Sequence, residues 1–304
     1  MKLHYFRDAG GLRNFGDDLN EWLWPRLIPD LLDDDEGVTL VGIGTLLNET
    51  IHQHLSPTCR RVVVFSSGVG YGSTTPNVDR RWMIYCLRGP LSARALGVPE
   101  DLAVTDGAVL LRRVYSPAAM KSHRFSYMPH AVHAQAAAGA WEQLCDEIGF
   151  GYVDPRWPVE KVLAGISSTE SLLTEAMHGA IVADALRIPW IPMDSTGRFP
   201  MLPFKWQDWC MSVGVSYQPK RIPPLWAARG GEKRSVLVRH WIKQKIIAAD
   251  LLRIVATTRP SLSSTSRIDQ LADSLEERLL QLKKDAAAAH CADGVRACNQ
   301  ALRY

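Results

Sequence analysis

The chain lacks any C-x-x-C pair: Cys59, Cys86, Cys145, Cys210, Cys291 and Cys298 are scattered along its 304 residues. That spacing argues against both a zinc ribbon and a disulfide framework, and reduced thiols are expected. No apolar run approaches the length of a membrane span, and the first residues, Met1-Lys2-Leu3-His4-Tyr5-Phe6-Arg7-Asp8, hold no apolar signal segment, so a cytoplasmic protein is expected. Charge of one sign is scarce as well. With 35 Lys and Arg against 32 Asp and Glu the net charge is +3, which makes no electrostatic case for a nucleic-acid partner. The pairs His52/His54 and His130/His133 have no carboxylate or thiol at readable spacing to complete a coordination shell, so no metal is expected.

What is present is 46% hydrophobic and 22% charged, the make-up of a globular protein with a large core. Its length suits two packed lobes and an appendage. Residues 3–6, 38–43, 61–65, 83–87 and 102–104 are apolar runs, and the later four end in glycine or polar loops: Gly42-Ile43-Gly44, Ser66-Ser67-Gly68-Val69-Gly70, Arg88-Gly89-Pro90 and Thr105-Asp106-Gly107. Runs that are apolar throughout rather than alternating predict parallel strands covered on both faces. The pattern loosens between Arg112 and His123, with Pro117 inside, and resumes at 125–128 and 151–153. This predicts an α/β protein of two doubly wound Rossmann-like lobes facing a cleft, residues 1–118 and 119–228, with a helical extension over 229–304.

Residues 171–192 form the most informative stretch. A strand through Leu172-Leu173 breaks at Thr174-Glu175, a helix follows from about Met177 to Leu186, and Trp190-Ile191-Pro192-Met193 is the next strand. Loops beyond the carboxyl ends of strands are where open α/β sheets bind ligands, and a helix N-terminus there offers unpaired N–H groups to anions. His178 and Glu175 lie on that loop. Arg88 follows its strand directly, so its guanidinium is expected at the same sheet edge, gripping an anion or pairing with a neighbouring acid. Asp17, after Asn14-Phe15-Gly16, is expected to act as a base or to cap a helix.

Thr174-Glu175-Ala176-Met177-His178-Gly179-Ala180-Ile181, followed by Ala183-Asp184-Ala185-Leu186-Arg187-Ile188-Pro189-Trp190, resembles the signature of the polysaccharide pyruvyl transferases. Further matches stand in family order: Asn14-Phe15-Gly16-Asp17-Asp18-Leu19-Asn20, Gly42-Ile43-Gly44-Thr45, Ser66-Ser67-Gly68-Val69-Gly70, Arg88-Gly89-Pro90, Asp106-Gly107-Ala108 and Pro129-His130. The resemblance spans residues 1–210. It implies a glycosyltransferase-B-like pair of lobes and transfer of the enolpyruvyl unit of phosphoenolpyruvate onto a sugar as a ketal, with no cofactor beyond that donor. His178 is then the general acid, Glu175 its orienting partner and Asp17 the base, while Asn14, Gly16, Gly68, Arg88, Asp106, His130 and Lys205 line the substrate cleft. Lys205-Trp206-Gln207-Asp208-Trp209 offers a cation and an aromatic face for a sugar. Many family members carry an arginine two residues before the histidine, where this chain has Ala176. Arg88, Lys205 or Arg198 is expected to supply that charge. The acceptor is a saccharide of an exopolysaccharide or a lipid-linked repeat unit. Two other readings share the architecture: a nucleotide-sugar glycosyltransferase, and a non-catalytic scaffold in polysaccharide assembly.

Residues 233–259 hold seven Lys or Arg against one acid, Asp250, interleaved with Leu237, Trp241, Ile242, Ile246, Ile247 and Leu251. This basic amphipathic helix is expected to return onto the first lobe or to dock peripherally at the inner face of the cell membrane. A Ser/Thr-rich linker (261–266) leads to a helix whose stripe of Leu271, Leu275, Leu279 and Leu282 is a candidate homodimer seam, and the Ala-rich end from Ala286 is expected to be poorly ordered.

Overall fold

The computed structural model describes residues 1–117, 119–137, 139–195, 203–226 and 234–301, the side chains of 234–236 and 290–301 excepted. The first sheet comprises β1 (Lys2–His4), β2 (Val38–Val41), β3 (Arg61–Phe65) and β4 (Trp82–Cys86), all parallel and side by side in chain order. Four helices accompany it: α1 (Phe15–Leu27), α2 (Ile51–His54), α3 (Pro90–Leu96) and α4 (Leu111–Val114). Both faces are covered, as continuous apolar runs require: Leu40, Val63 and Phe65 pack with Leu19, Leu23 and Trp24 of α1, while Val41, Val62 and Val64 pack with Ile51 and Ala93.

The second sheet holds β5 (His123–Met128), β6 (Gly151–Tyr152), β7 (Thr169–Thr174), β8 (Trp190–Asp194) and β9 (Lys220–Arg221), again all parallel, in the order β6-β5-β7-β8-β9. Around it lie α5 (Ala131–Ala137), α6 (Ala140–Glu147), α7 (Val159–Ser167), α8 (Met177–Ala185) and α9 (Pro203–Val213). This order reverses between β5 and β7, so the second sheet is doubly wound and has a switch point there. The first runs in chain order without a reversal, with helices on both of its faces. Residues 102–104 are not a strand. Glu100–Leu102 is a 3-10 turn, and only a single bridge, Leu87 to Ala103, extends the sheet.

The lobes meet through their helices. Phe15 N donates to Pro155 O at 2.7 Å, and Trp22 Nε1 to Glu160 Oε1 at 2.8 Å, so α1 is held against the second lobe at α7. The expected boundaries at 118/119 and 228/229 fall at or beside residues outside the described set.

Beyond residue 229 the chain is built into both lobes. Helix α10 (Arg234–Thr257) buries Ile247, Leu251 and Ile254 with Tyr127, Trp141 and Ile191 of the second lobe, not on the first as a return helix. The segment read as a linker is a clasp: Ser261 pairs with Trp190 backbone to backbone, and Ser263 N donates to Asp184 Oδ2 at 2.9 Å. Helix α11 (Thr265–Ala301) continues through the Ala-rich stretch expected to be poorly ordered, as alanine's helix propensity favours. Its stripe of Leu271, Leu275, Leu279 and Leu282 is buried in the core shared with Leu110, Leu111 and Tyr85, so the surface read as a dimer seam is covered by the chain's own first lobe. Each buried leucine contributes roughly 1.5–3 kcal/mol of transfer free energy. Arg112 to Asp269 and Arg113 to Asp273, both 2.5 Å, fix the helix's rotation.

Candidate active site

At the carboxyl end of β7, Thr174 Oγ1 accepts from Ala176 N at 3.0 Å and turns the chain into α8. Glu175 and His178 leave this turn in different directions. Glu175 points inward with no exposed surface, and its carboxylate accepts from Tyr127 Oη (2.5 Å), His130 N (2.9 Å) and His133 Nδ1 (2.5 Å). Burial pushes this carboxyl's pKa up, but the bond and charge of His133, with the His130 amide, outweigh it and leave Glu175 below the usual carboxylate range. His133 shifts the opposite way for the same reason: burial opposes its charge, and the Glu175 bond and charge prevail. Each group of the pair is thus shifted toward its charged form by the other. Glu175 does not touch His178, which corrects its expected role; it holds His133 and ties the β5 and β7 loops together across the switch point.

His178 instead faces the first lobe. Its Nε2 stands 3.6 Å from Asp106 Oδ2, and neither atom has a hydrogen-bond partner among the described residues. Its Nδ1 lies over Gly16, where an added Cβ would come within 2.0 Å, so the glycine is there because the ring leaves no room for a side chain. The N-terminus of α8 and that of α1 thus meet edge to edge. Asp106 is fully buried behind the ring, with Oδ1 accepting from Ala108 N at 2.9 Å, so it offers no surface to the cleft it was expected to line.

Asp17, in the first turn of α1, accepts from Asn14 Nδ2 at 2.6 Å. Burial pushes its carboxyl up to about 6, against the pull of His178, the Asn14 bond and Lys205. His130 is pushed down to about 4 by burial and then by Lys205, so it is neutral at pH 7. Lys205 acts electrostatically on both groups and is 9% exposed, its Nζ donating to Tyr71 Oη at 2.5 Å. Asn14, Asp17, His130, His178 and Lys205 are therefore brought together between the two sheet edges.

Arg88, Gly68 and the Trp206/Trp209 pair, expected at the cleft, are not there. Arg88 has no exposed surface: Nε donates to Asp208 Oδ2 (3.1 Å), Nη1 to Thr45 Oγ1 (2.7 Å) and Nη2 to Val69 O (3.0 Å). Its guanidinium is bonded at all three nitrogens and pins α9 to the first lobe. Gly68 makes room for it, since a Cβ there would reach 2.1 Å from Cζ. Trp206 and Trp209 are buried with Trp190, so neither offers a face to a sugar. Arg198 lies outside the described residues.

His133 is the residue that sequence reasoning set aside. It was visible only as the second histidine of His130-Ala131-Val132-His133, dismissed because no metal shell was complete; its partner Glu175 is 42 residues away. Both of its contacts, to Glu175 and to Ser195 Oγ at 3.0 Å, fall on Nδ1, and Nε2 has no hydrogen-bond partner among the described residues. An imidazole held by a carboxylate beside His130 is placed to meet an anion.

No protein-family model matches the chain. Over 225 residues it is 38% identical to the succinoglycan biosynthesis protein ExoV of Rhizobium meliloti (strain 1021), an alignment covering 73% of this chain and 68% of that protein. With the glycine that admits His178 and the carboxylates on either side of it set in a two-sheet α/β frame, the chain belongs to the family of ExoV.

Proposed function

We propose that this chain is a transferase of exopolysaccharide synthesis, a polysaccharide pyruvyl transferase that moves the enolpyruvyl unit of phosphoenolpyruvate onto a sugar as a pyruvate ketal. The observation that carries the reading is the meeting of His178, Asp17 and Lys205 at the sheet edges, with His133 beside the switch point.

In the reaction a proton goes to the methylene carbon of the donor, leaving an oxocarbenium-like carbon that a sugar hydroxyl attacks as it loses its proton. Phosphate leaves, and a second hydroxyl closes the ring and gives up its own proton. His178 serves as the acid toward the methylene carbon, held by Asp106. Asp17, titrating at about 6, serves as the base toward the hydroxyls. Phosphate and carboxylate are met by Lys205, His133 and the N-terminus of α8, which together replace the arginine missing at Ala176. The first lobe, 1–118, takes the acceptor and the second, 119–228, the donor.

The test incubates the purified chain with phosphoenolpyruvate and a saccharide repeat unit, alongside a parallel reaction with nucleotide sugars. Acceptor-dependent release of inorganic phosphate with a ketal-sized mass gain supports the reading. Sugar transfer from a nucleotide donor, with none from phosphoenolpyruvate, overturns it.

A further inference from the structure

Helix α10 has two unlike faces. Ile247, Leu251 and Ile254 are buried in the second lobe, whereas Leu237, Val238, Trp241, Ile242 and Ile246 lie on the opposite side, 46–58% exposed. Five large apolar side chains on one exposed arc are a contiguous patch of the kind that marks an interaction surface. Among the described residues nothing covers it, and no helix there is long and apolar enough to cross a membrane.

Charge identifies the occupant. The patch is edged by Arg239, Lys243 and Lys245, and the only acid on the helix, Asp250, is paired with Arg253. Lys245 pairs with Glu147 and also lies 5.8 Å from the Trp241 ring, and Lys243 stands 5.4 Å from the Trp226 ring. A second copy docking face to face would bring these cations against their own kind. An anionic lipid surface accepts both halves of the pattern at once, the apolar side chains entering the acyl boundary and the cations staying among the headgroups.

We propose that the outward face of α10 docks the protein reversibly on an anionic membrane surface, lying in the interface rather than crossing it. This is independent of the reaction assigned above, and its test uses no substrate.

The intact chain is sedimented with vesicles of phosphatidylcholine alone and with rising fractions of phosphatidylglycerol, at low and at high salt. Binding should rise with anionic fraction and fall with salt. Arg239→Gln with Lys243→Gln should weaken the partition by about twenty-fivefold, at about fivefold per cation. Trp241→Ser with Ile242→Ser should abolish it. Thermal melting of each variant checks the fold, and the side chains changed lie on the outer face or its edge. Absence of binding to the anionic vesicles at low salt overturns the proposal. So does binding indifferent to both pairs of substitutions, or a patch substitution that dissociates a dimer without changing the partition.

Discussion

His178 Nε2 and Asp106 Oδ2 face each other at 3.6 Å across the lobe interface, each without another partner among the described residues. The histidine comes from the second lobe and the aspartate from the first, so the orientation of the proposed acid depends on both. Asp106→Asn keeps the shape and the bond from Ala108 but removes the charge. The expected outcome is a fall in kcat of about tenfold to a hundredfold with little change in KM for phosphoenolpyruvate. An unchanged kcat would show that Asp106 serves only to cap its turn.

Gly16→Ala places a methyl in the space of the His178 ring. A cost of roughly 1–3 kcal/mol is expected, since the ring must leave its position. In a His178→Ala background the same substitution should cost much less, because the obstacle is gone. Denaturant unfolding of the four proteins of this cycle gives the coupling directly. Equal costs in both backgrounds would break the link between glycine and histidine.

Asp17 gives a pH dependence whose sign is fixed. As a base it must be ionised, so kcat/KM should rise with pH through about 6, and the limb should vanish in Asp17→Asn. Stability runs the other way. The folded pKa of about 6 lies above the ordinary aspartate value of 3.8, so folding favours the protonated carboxyl, and the stability this group lends at acid pH is lost as pH rises through about 6. Asp17→Asn should therefore raise Tm at pH 7 and gain nothing near pH 4. Melting curves at the two values decide the matter.

Arg88 and Lys205 should separate cleanly. Arg88→Met leaves Asp208 buried and unpaired, and a loss of about 3–5 kcal/mol in denaturant unfolding is expected. Lys205→Met should leave stability nearly unchanged and weaken donor binding in calorimetry. If Arg88→Met instead folds normally and fails to bind donor, the anion cradle has been assigned to the wrong cation.

Local pattern made much of this legible. The apolar runs that became β2, β3 and β4 could be read because a strand covered on both faces carries few polar positions to confuse the period. The turn at Thr174-Glu175 was readable from the break between two such runs. What could not be read was the identity of partners distant in sequence. Arg88 does leave its strand at the sheet edge, but Asp208, 120 residues on, meets it there. Glu175 lies three residues from His178 in sequence yet is turned to His133, since the first turn of α8 sends the two side chains apart. An amphipathic stripe reports that a face is buried, not against what, so the leucines of α11 read equally well as a seam between copies. The serines at 261–266 read as a linker because composition is blind to Asp184 and the Trp190 backbone, which hold Ser263 and Ser261.

The role of His178 as the acid is tested most directly by single-turnover phosphate release from phosphoenolpyruvate in the presence of a saccharide acceptor, comparing the intact chain with His178→Ala. Donor affinity should be retained within a few-fold, because Lys205 and His133 remain, while the rate of phosphate release and ketal formation falls by about 10² or more. A variant that binds donor and releases phosphate at the rate of the intact chain would contradict the assignment.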